Sequence, residues 1–357
     1  MKIIHVSHDD ISFARFVEPL VMSSRKYGFN AKSLIVNKNN FIKSDGQNFL
    51  ISNYLTFNPL QFFKAIFNLI ILIFREKPDI IQTHSTLGSV IPLFISFCIR
   101  TPIRIYHNHG IPHLGHSGLF KLILKILEYV NIFFSTQIIT VSPAMRIELQ
   151  RLAPSKDIFC FLPGSSCGLE NKWFQQTKST YLRDQFRINK KTKILLFVGR
   201  PNNRKGFYNL LHAFSEININ VCLFLVGITK KDIPKQYKNS KNIIALGIQK
   251  NMLKIYRSSD VLISPSLHEG FGYAILEAAA SKNALLVSNI PGPDAIIDEE
   301  CGYLFDPFDI NDIRSKIKKI FNDNEKLEIF KKQAYKKACK FKSSIITTKY
   351  VKFLKKL

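Results

Sequence analysis

The sequence is poor in acidic residues and lacks the short motifs of metal and redox proteins. Its 357 residues include 26 acidic residues against 51 lysines and arginines, and six cysteines. No two cysteines have the two-residue spacing of a zinc or dithiol motif, which favours reduced thiols in a reducing compartment. An Asp-x-Asp metal motif is also absent. We therefore expect neither a metal nor a redox cofactor.

Long apolar segments are scarce as well. The most apolar short run, Ala65 to Phe74, is interrupted by Asn68 and is followed by three charged residues. Crossing a bilayer takes roughly 18 apolar residues, which excludes a span here. The first residues indicate a buried strand, without the apolar stretch and small-residue cleavage site of a signal peptide. We expect a cytoplasmic protein that is soluble or lies on the inner face of the membrane.

The formal net charge of +25 is the most unusual bulk property. Such a charge attracts polyanions, and nucleic acid, an anionic membrane surface and phosphorylated substrates are the three classes to consider. The excess is steepest from residue 314 to the end, with 15 basic and three acidic residues. A lysine-rich solvated surface without a specific partner explains the same composition.

Short runs rich in β-branched residues alternate with helix-length segments along the chain, which indicates parallel sheets covered by helices on both faces. The predicted strands are Lys2–Val6, Ala31–Val36, Asp79–Thr83, Ile103–His107, Gln137–Val141, Ile158–Leu162, Lys193–Val198, Val221–Val226, Asn242–Leu246, Val261–Ser264, Ala284–Ser288 and Gly302–Phe305. From Glu170 to Lys193 the alternation stops and the chain is polar.

This break predicts two Rossmann-like, doubly wound α/β domains. The first covers residues 1–170, a linker covers 171–192, the second domain covers 193–340, and a basic helix over 341–357 packs back toward the first domain. Ligands of doubly wound sheets bind beyond the carboxyl ends of the strands. We therefore expect the two domains to face a central cleft that holds the ligand.

The first informative motif runs from Phe197 to Gly206, with Gly199-Arg200 at one end and Lys205-Gly206 at the other. A strand ends at Gly199, and a helix is expected to begin near Lys205. Two cations and a helix amino terminus at this edge suit a diphosphate. An ordinary basic loop is the alternative.

The second motif is Glu269-Gly270-Phe271-Gly272 with Glu277 eight residues after Glu269. A strand ends at Ser264, and the glycines allow close approach of backbone to a ligand. Two carboxylates that bracket a helix start would repel a phosphate but would accept hydrogen bonds from sugar hydroxyls. A capping carboxylate and a surface glutamate are the alternative.

Together these two motifs closely resemble family 4 of the retaining glycosyltransferases, whose two Rossmann-like domains form the GT-B fold. The resemblance is strongest over about residues 193–305. It implies that Arg200 and Lys205, with Gly199 before them, bind the donor diphosphate. It also implies that Glu269 contacts the transferred sugar, that Glu277 contacts the ribose hydroxyls, and that the amides around Gly270, Phe271 and Gly272 complete the phosphate site.

The first domain contributes one further candidate through the same resemblance. Strand Ile103–His107 leads into Asn108-His109-Gly110, and histidines 107 and 109 are expected on one face. A structural histidine pair is the alternative, and a metal site is less favoured without nearby cysteine or acidic ligands. The capsule- and lipopolysaccharide-building branch of the family carries a His-Gly pair here, which implies that His109 contacts the donor sugar. The loop from Ser7 to Ser12 lacks the glycines that relatives often carry, so no acceptor residue is predicted.

These observations predict transfer of a hexose or N-acetylhexosamine from a nucleotide diphosphate sugar, with uridine as the family's usual base. The acceptor is expected to be a saccharide or a glycan linked to polyprenyl diphosphate, and the fixed cations make a divalent metal dispensable. Three alternatives remain. A nucleotide-sugar epimerase shares the fold, a nucleic-acid-binding protein would explain the charge, and a dehydrogenase would explain the domains. The sequence lacks the usual signatures of nucleic-acid-binding proteins and of dehydrogenases, and we expect no nucleic-acid partner.

Overall fold

The computed structural model describes residues 1–36, 48–51, 53–56, 58–175 and 177–357. The chain forms two compact units. The first unit comprises Met1–Gly168 and Ser343–Leu357, and the second comprises Leu169–Lys342. The region predicted as a linker, 171–192, thus lies in the second unit, apart from Gln176, which is outside the described residues.

The first unit is built on a parallel sheet of seven described strands in the order β3-β2-β1-β4-β5-β6-β7. The strands are β1 (Lys2–Ser7), β2 (Asn30–Val36), β3 (Asn48–Ile51), β4 (Ile80–His84), β5 (Ile103–Asn108), β6 (Gln137–Thr140) and β7 (Ile158–Cys160). The helices between them are α1 (Asp10–Ser12), α2 (Glu18–Lys26), α3 (Pro59–Glu76), α4 (Thr86–Cys98), α5 (Gly118–Phe134) and α6 (Pro143–Leu152).

The second unit has a parallel sheet of six described strands in the order β10-β9-β8-β11-β12-β13. They are β8 (Lys193–Val198), β9 (Val221–Val226), β10 (Ile243–Gly247), β11 (Val261–Ser264), β12 (Ala284–Ser288) and β13 (Gly302–Phe305). The helices are α7 (Tyr181–Phe186), α8 (Phe207–Ser215), α9 (Met252–Ser258), α10 (Tyr273–Ala280), α11 (Ile310–Asn322) and α12 (Asn324–Ala338). The last helix, α13 (Ser343–Leu354), belongs to the first unit and packs against α2.

Hydrophobic burial explains why these runs form strands. Leu195, Leu223 and Ile263 come from three neighbouring strands of the second sheet, and all are fully buried in one core with Phe207 of α8. In the first sheet, Ile4 and Ile81 occupy paired positions of β1 and β4 and are fully buried as well. Continuous apolar strands of this kind are typical of a sheet covered on both faces.

The predicted α/β class with two doubly wound sheets is confirmed. Edge strand β3 was not predicted, because its four residues are only partly buried and follow a long polar segment. The six cysteines are free, and three are buried, but Cys98 is exposed. No helix among the described residues is long and apolar enough to cross a bilayer.

Each sheet has one point where the strand order reverses direction. In the second unit it lies between β8 and β11, and in the first unit between β1 and β4. Loops that leave the carboxyl ends of strands flanking such a point form the usual binding crevice of doubly wound sheets. The predicted donor residues of the second unit lie in the loops after β8 and β11, except Glu277, which lies on helix α10.

Candidate active site

The loop after β8 carries the two predicted phosphate-binding cations. Arg200 is exposed, whereas Lys205 is partly buried at the end of a 3-10 turn over Asn203–Lys205. The turn is capped by Asn202, whose side-chain oxygen accepts a hydrogen bond from the Lys205 backbone amide at 3.0 Å. Helix α8 begins at Phe207, two residues later than expected, because Gly206 has a left-handed backbone conformation and lies between the turn and the helix.

The loop after β11 packs directly against the loop after β8. Gly206 lies so close to Pro265 that a Cβ atom on Gly206 would be 1.8 Å from the Pro265 carbonyl oxygen. The backbone amide of Leu267 donates a hydrogen bond to the carbonyl oxygen of Arg204 at 2.8 Å. The two sequence motifs therefore form one surface.

Lys205 and Glu269, predicted from separate motifs, form an ion pair through Nζ and Oε1. The Ser266 hydroxyl donates a second hydrogen bond to the same carboxylate oxygen at 3.1 Å. Both charged side chains are partly buried, so the pair is less screened than one on an open surface. An ammonium group has three hydrogens, so Lys205 retains the capacity to bind a phosphate oxygen while it contacts Glu269.

Glu277 is placed differently from Glu269. It lies on α10, is 2% exposed, and accepts a hydrogen bond from the Tyr256 hydroxyl at 2.9 Å. Tyr256 is itself held by the Asn283 side chain, which donates to its carbonyl oxygen at 2.8 Å. Sequence reasoning missed Tyr256, since one tyrosine in a mixed helix gives no signal. The carboxylate is thus positioned by a neighbour before any ligand arrives.

The remaining predicted donor residues surround these carboxylates. Phe271 is buried and packs against Phe341 with ring centroids 5.6 Å apart, so its side chain is structural. Gly270 and Gly272 flank it, and Gly199 directly follows β8 beside Lys205. The loop after β12 supports the same backbone, because Gly292 approaches the Glu269 carbonyl oxygen too closely to tolerate a Cβ atom.

In the first unit, His109 lies directly after β5 and belongs to a larger histidine cluster. Its ring stacks on that of His107 with centroids 4.6 Å apart, as expected for alternate residues on one face. Its Nε2 is 3.0 Å from Nδ1 of His84, and Nε2 of His84 is 3.3 Å from Nδ1 of His5. Sequence reasoning missed His84 and His5, which lie on β4 and β1.

Burial keeps these imidazoles neutral at pH 7. It lowers the pKa of His5 to about 3 and the pKa of His109 to about 4. Burial and the neighbouring histidines also hold the pKa values of His84 and His107 well below the ordinary value. His109 therefore offers a neutral ring to any ligand that it contacts.

The glycine-free loop after β1 has a structural explanation. Asp9 caps α1, since its Oδ1 accepts a hydrogen bond from the Ser12 backbone amide at 2.6 Å. His8 contacts Ser85 through Nδ1 at 3.1 Å and Asp9 through Nε2 at 3.1 Å. The loop is thus fixed by its own polar contacts, and neither side chain is assigned to an acceptor.

A buried carboxyl group supports the turn that carries His109. Glu128 on α5 accepts hydrogen bonds from Tyr106 and from Asn108, each at 2.8 Å, and from Thr86 at 2.9 Å. The Asn108 side-chain oxygen in turn accepts from the Gly110 backbone amide at 2.9 Å. Burial raises the pKa of Glu128 to about 7 despite these three donors.

Replacing Glu128 by glutamine is expected to change how stability depends on pH. In the folded state the pKa of Glu128 is raised from 4.5 to about 7. The stabilisation that protonated Glu128 gives the folded state is therefore complete below pH 4.5 and is lost as the pH rises through 7. Glutamine does not ionise, so Glu128→Gln should gain about 2–3 kcal/mol relative to wild type between pH 5 and pH 8. Urea unfolding followed by circular dichroism measures the difference. For the exposed control Glu300→Gln, the free energy of unfolding should depend on pH as it does in wild type. The same dependence in Glu128→Gln would show that Glu128 ionises normally.

The comparisons with known proteins agree with this geometry. Residues 179–337 match the family model described as glycosyl transferases group 1. The capsular polysaccharide biosynthesis glycosyltransferase CapM of Staphylococcus aureus is 26% identical over 296 residues, which cover 79% of this chain and 78% of CapM. A UDP-Gal:α-D-GlcNAc-diphosphoundecaprenol α-1,3-galactosyltransferase of Escherichia coli is 25% identical over 77% of this chain and 74% of that protein.

Solved structures share the fold over the full length of the chain. Sucrose-phosphate synthase from Thermosynechococcus elongatus has a TM-score of 0.83 at 17% identity and covers 100% of this chain and 98% of its own. Anabaena HepE in complex with UDP and glucose has a TM-score of 0.81 at 16% identity and covers 100% of both chains. The predicted resemblance to family 4 and the predicted GT-B fold are both confirmed. Residues 179–337 therefore match the group 1 glycosyl transferases, and the protein is a glycosyltransferase with the GT-B fold.

Proposed function

We propose that the protein transfers a hexose or N-acetylhexosamine from a UDP-sugar to a lipid-linked saccharide, with retention of configuration, during surface polysaccharide biosynthesis. The observation that carries the proposal is the Lys205–Glu269 pair at the switch point of the second sheet. It places a cation for the diphosphate beside a carboxylate for the sugar. HepE, whose structure contains UDP and glucose, supports the choice of donor.

Lys205 and Arg200 stabilise the negative charge that develops on the leaving diphosphate. Fixed cations placed before the reaction cost no reorganisation when the charge appears, which is the largest contribution in many enzymes. Glu269 accepts hydrogen bonds from sugar hydroxyls, and Glu277, positioned by Tyr256, accepts from the ribose. The amides of Gly270 to Gly272 and the backbone at Gly199, directly after β8, complete the donor site.

The transfer exchanges one glycosidic bond for another. The bond between the anomeric carbon and the diphosphate oxygen breaks, and the acceptor hydroxyl oxygen bonds to that carbon from the same face. The hydroxyl proton passes to the departing diphosphate. Neutral His109 makes a polar contact with the transferred sugar, and its low pKa keeps it from acting as a cation at neutral pH. Arg200 and Lys205 supply the charge that a divalent ion supplies in other transferases, so the reaction needs no metal.

The acceptor assignment is supported by two relatives. CapM is named for capsular polysaccharide biosynthesis, and the Escherichia coli enzyme is named for transfer to a diphosphoundecaprenol-linked sugar. An acceptor of that kind is embedded in a membrane, so the enzyme has to reach a lipid surface from the cytoplasmic side.

A panel of nucleotide sugars offered with undecaprenyl-diphosphate-linked saccharides tests the proposal. We expect one UDP-sugar to be consumed only when an acceptor is present, with an α-configured linkage in the product by NMR. Addition of EDTA should leave the rate unchanged. Conversion of the nucleotide sugar without an acceptor would instead identify an epimerase. Loss of the rate in EDTA with recovery in Mn²⁺ would contradict metal-independent transfer.

The first unit has an apolar face that suits a membrane surface. Helix α3 buries Ala65 and Leu69 but exposes 68% of Phe63 and 63% of Phe67. Helix α4 packs against α3, helix α5 packs against α4, and both expose further apolar side chains. These are Leu87, Phe94, Phe97, Leu119, Phe120, Leu122, Ile123, Ile126 and Phe133. We call this apolar face of α3, α4 and α5 the docking face, and we propose that an anionic bilayer covers it, since lysines are interspersed and the chain carries +25.

Liposome co-sedimentation tests the docking face. Wild type is expected to bind vesicles with anionic lipid more tightly than neutral vesicles. Phe63→Ser/Phe67→Ser should weaken binding about 100-fold or more, because about 2 kcal/mol is lost for each of the two aromatic side chains. The matched control is Ile248→Ser/Phe308→Ser in the second unit, where the side chains are 89% and 71% exposed. Equal binding by the two double variants would exclude the docking face.

A further inference from the structure

Three imidazoles of the first unit converge at the carboxyl ends of two neighbouring strands. His84 ends β4, while His107 and His109 lie at the end of β5, and His84 is paired in register with His107. One ring nitrogen from each of the three lies within 4.8 Å of the other two. The closest two, Nδ1 of His84 and Nε2 of His109, are 3.0 Å apart.

The 3.0 Å separation is close to the spacing of ligands around a small divalent ion, and the other two separations are at most 4.8 Å. Nitrogen ligands of tetrahedral Zn²⁺ lie about 2.0–2.1 Å from the metal, so two of them are about 3.3 Å apart. Small side-chain rotations would bring the three nitrogens to that spacing. Nε2 of His107 is buried and has no hydrogen-bond partner among the residues that the structure describes. A buried nitrogen without a partner costs free energy that a metal ligand bond would recover.

The second nitrogens of His84 and His107 are held by one buried network, as is usual for metal-binding histidines. Nε2 of His84 faces Nδ1 of His5 at 3.3 Å, and Nε2 of His5 faces the Tyr350 hydroxyl at 3.5 Å. That hydroxyl contacts the Gln82 amide at 2.6 Å, and the same amide contacts Nδ1 of His107 at 3.0 Å.

The network can adopt the proton arrangement that metal binding requires. A half-turn of the Gln82 amide, whose nitrogen and oxygen are nearly isosteric, makes its oxygen the acceptor for Nδ1–H of His107. Nε2 of His107 then presents its lone pair. Likewise, Nε2–H of His84 donates to His5, and Nε2–H of His5 donates to Tyr350, which frees Nδ1 of His84 as a ligand.

We propose that His84, His107 and His109 form a site for a divalent transition metal of the Zn²⁺ class. Three neutral imidazoles suit Zn²⁺, Co²⁺ and Ni²⁺, whereas Mg²⁺ and Ca²⁺ prefer oxygen ligands. Three protein ligands leave a fourth position for water.

The site would make the enzyme sensitive to zinc. This consequence rests on the proposed function, because it assumes that His109 contacts the transferred sugar. An ion bound to Nε2 of His109 removes that nitrogen from the sugar, so Zn²⁺ inhibits and EDTA restores the rate. The ion is thus an inhibitor of a reaction that itself needs no metal.

Direct binding to the tag-free full chain tests the site independently of activity. Wild type is expected to bind one Zn²⁺ per chain in competition with a chromophoric chelator. Co²⁺ should give the visible absorption of a four-coordinate ion with three nitrogen ligands and one water. Because removing even a supporting partner costs 10- to 100-fold, His84→Ala and His109→Asn should each lose about 100-fold or more in affinity. Tyr350→Phe, which removes a supporting hydroxyl, should lose about 10-fold.

The control is His212→Ala, which alters an exposed histidine of α8 and should bind as wild type does. Circular dichroism checks folding, and if His84→Ala does not fold, the partly exposed His109→Asn decides the question. Binding of less than one Zn²⁺ by wild type, or equal affinity of His109→Asn and His212→Ala, overturns the site. Stoichiometric binding without inhibition would uphold the site and remove His109 from the sugar-binding role.

Discussion

Replacing Lys205 by alanine is expected to lower kcat by about 10²–10³-fold, because it removes one preorganised charge from the leaving diphosphate. Binding of UDP should weaken as well, since the ammonium contacts the diphosphate in the ground state too. Steady-state kinetics with the preferred UDP-sugar and calorimetry with UDP measure the two effects. Arg200→Ala should behave similarly if Arg200 contacts the same group.

Arg204 provides a matched control for Lys205. The two residues are adjacent, and either substitution to alanine lowers the net charge of +25 by one. The Arg204 side chain is exposed, and its backbone oxygen accepts a hydrogen bond from Leu267 of the neighbouring loop. Arg204→Ala should therefore retain kcat within about twofold, as is usual for a surface substitution. Equal losses in both variants would mean that general charge, and not the position of Lys205, assists the reaction.

A substitution of Glu269 distinguishes contacts with the sugar of the donor from contacts with its diphosphate. Because Glu269 pairs with Lys205, Lys205→Ala leaves a partly buried carboxylate without its cation. Glu269→Gln keeps the shape and the Ser266 contact but weakens hydrogen bonds to sugar hydroxyls. It should bind UDP as wild type does and lose kcat. The double variant should lose less than the product of the two single losses, since contacting residues are not additive.

The sequence predicts most of the second unit because its signals are local. Strand β8 is an apolar run that is followed by Gly199, and β11 ends at Ser264, directly before Pro265. The motif residues follow these strand ends, so their position at the binding edge is implied once the order of elements is known. The sequence does not predict that residues of the two motifs contact each other. Lys205 and Glu269 meet because β8 and β11 are paired, and sequence periodicity does not reveal strand pairing.

The histidine cluster shows the same limit more clearly. Histidines 107 and 109 attract attention because they alternate on one strand, but His84 and His5 each stand alone in the sequence. They join the cluster through the register of β1, β4 and β5, which places His5 beside Gln82 and His84 beside His107. A metal site that looked disfavoured for two histidines becomes reasonable with the third. The chemistry depends on pairing between strands that are far apart in sequence.

Gly206→Ala is expected to destabilise the second unit by about 3 kcal/mol or more. Gly206 has a φ of +64°, which costs a residue with a side chain about 1–2 kcal/mol. In addition, the new Cβ atom would lie 1.8 Å from the Pro265 carbonyl oxygen, and such overpacking costs about 1–3 kcal/mol. Relief of the clash has to separate the loops that carry Lys205 and Glu269, so activity should fall together with stability.

Gly247→Ala isolates the backbone contribution, because Gly247 has a φ of +66° and a Cβ atom there meets nothing within 4 Å. Its cost should be only about 1–2 kcal/mol, with kcat unchanged. The single tryptophan, Trp173, lies in the second unit beside Tyr256, so its fluorescence during urea unfolding reports on this unit. If the two alanine variants unfold at the same urea concentration, the close approach of Gly206 to Pro265 does not hold the two loops together. If Gly206→Ala is the more destabilised of the two and alone loses activity, that approach is what brings the phosphate-binding cation to the sugar-binding carboxylate.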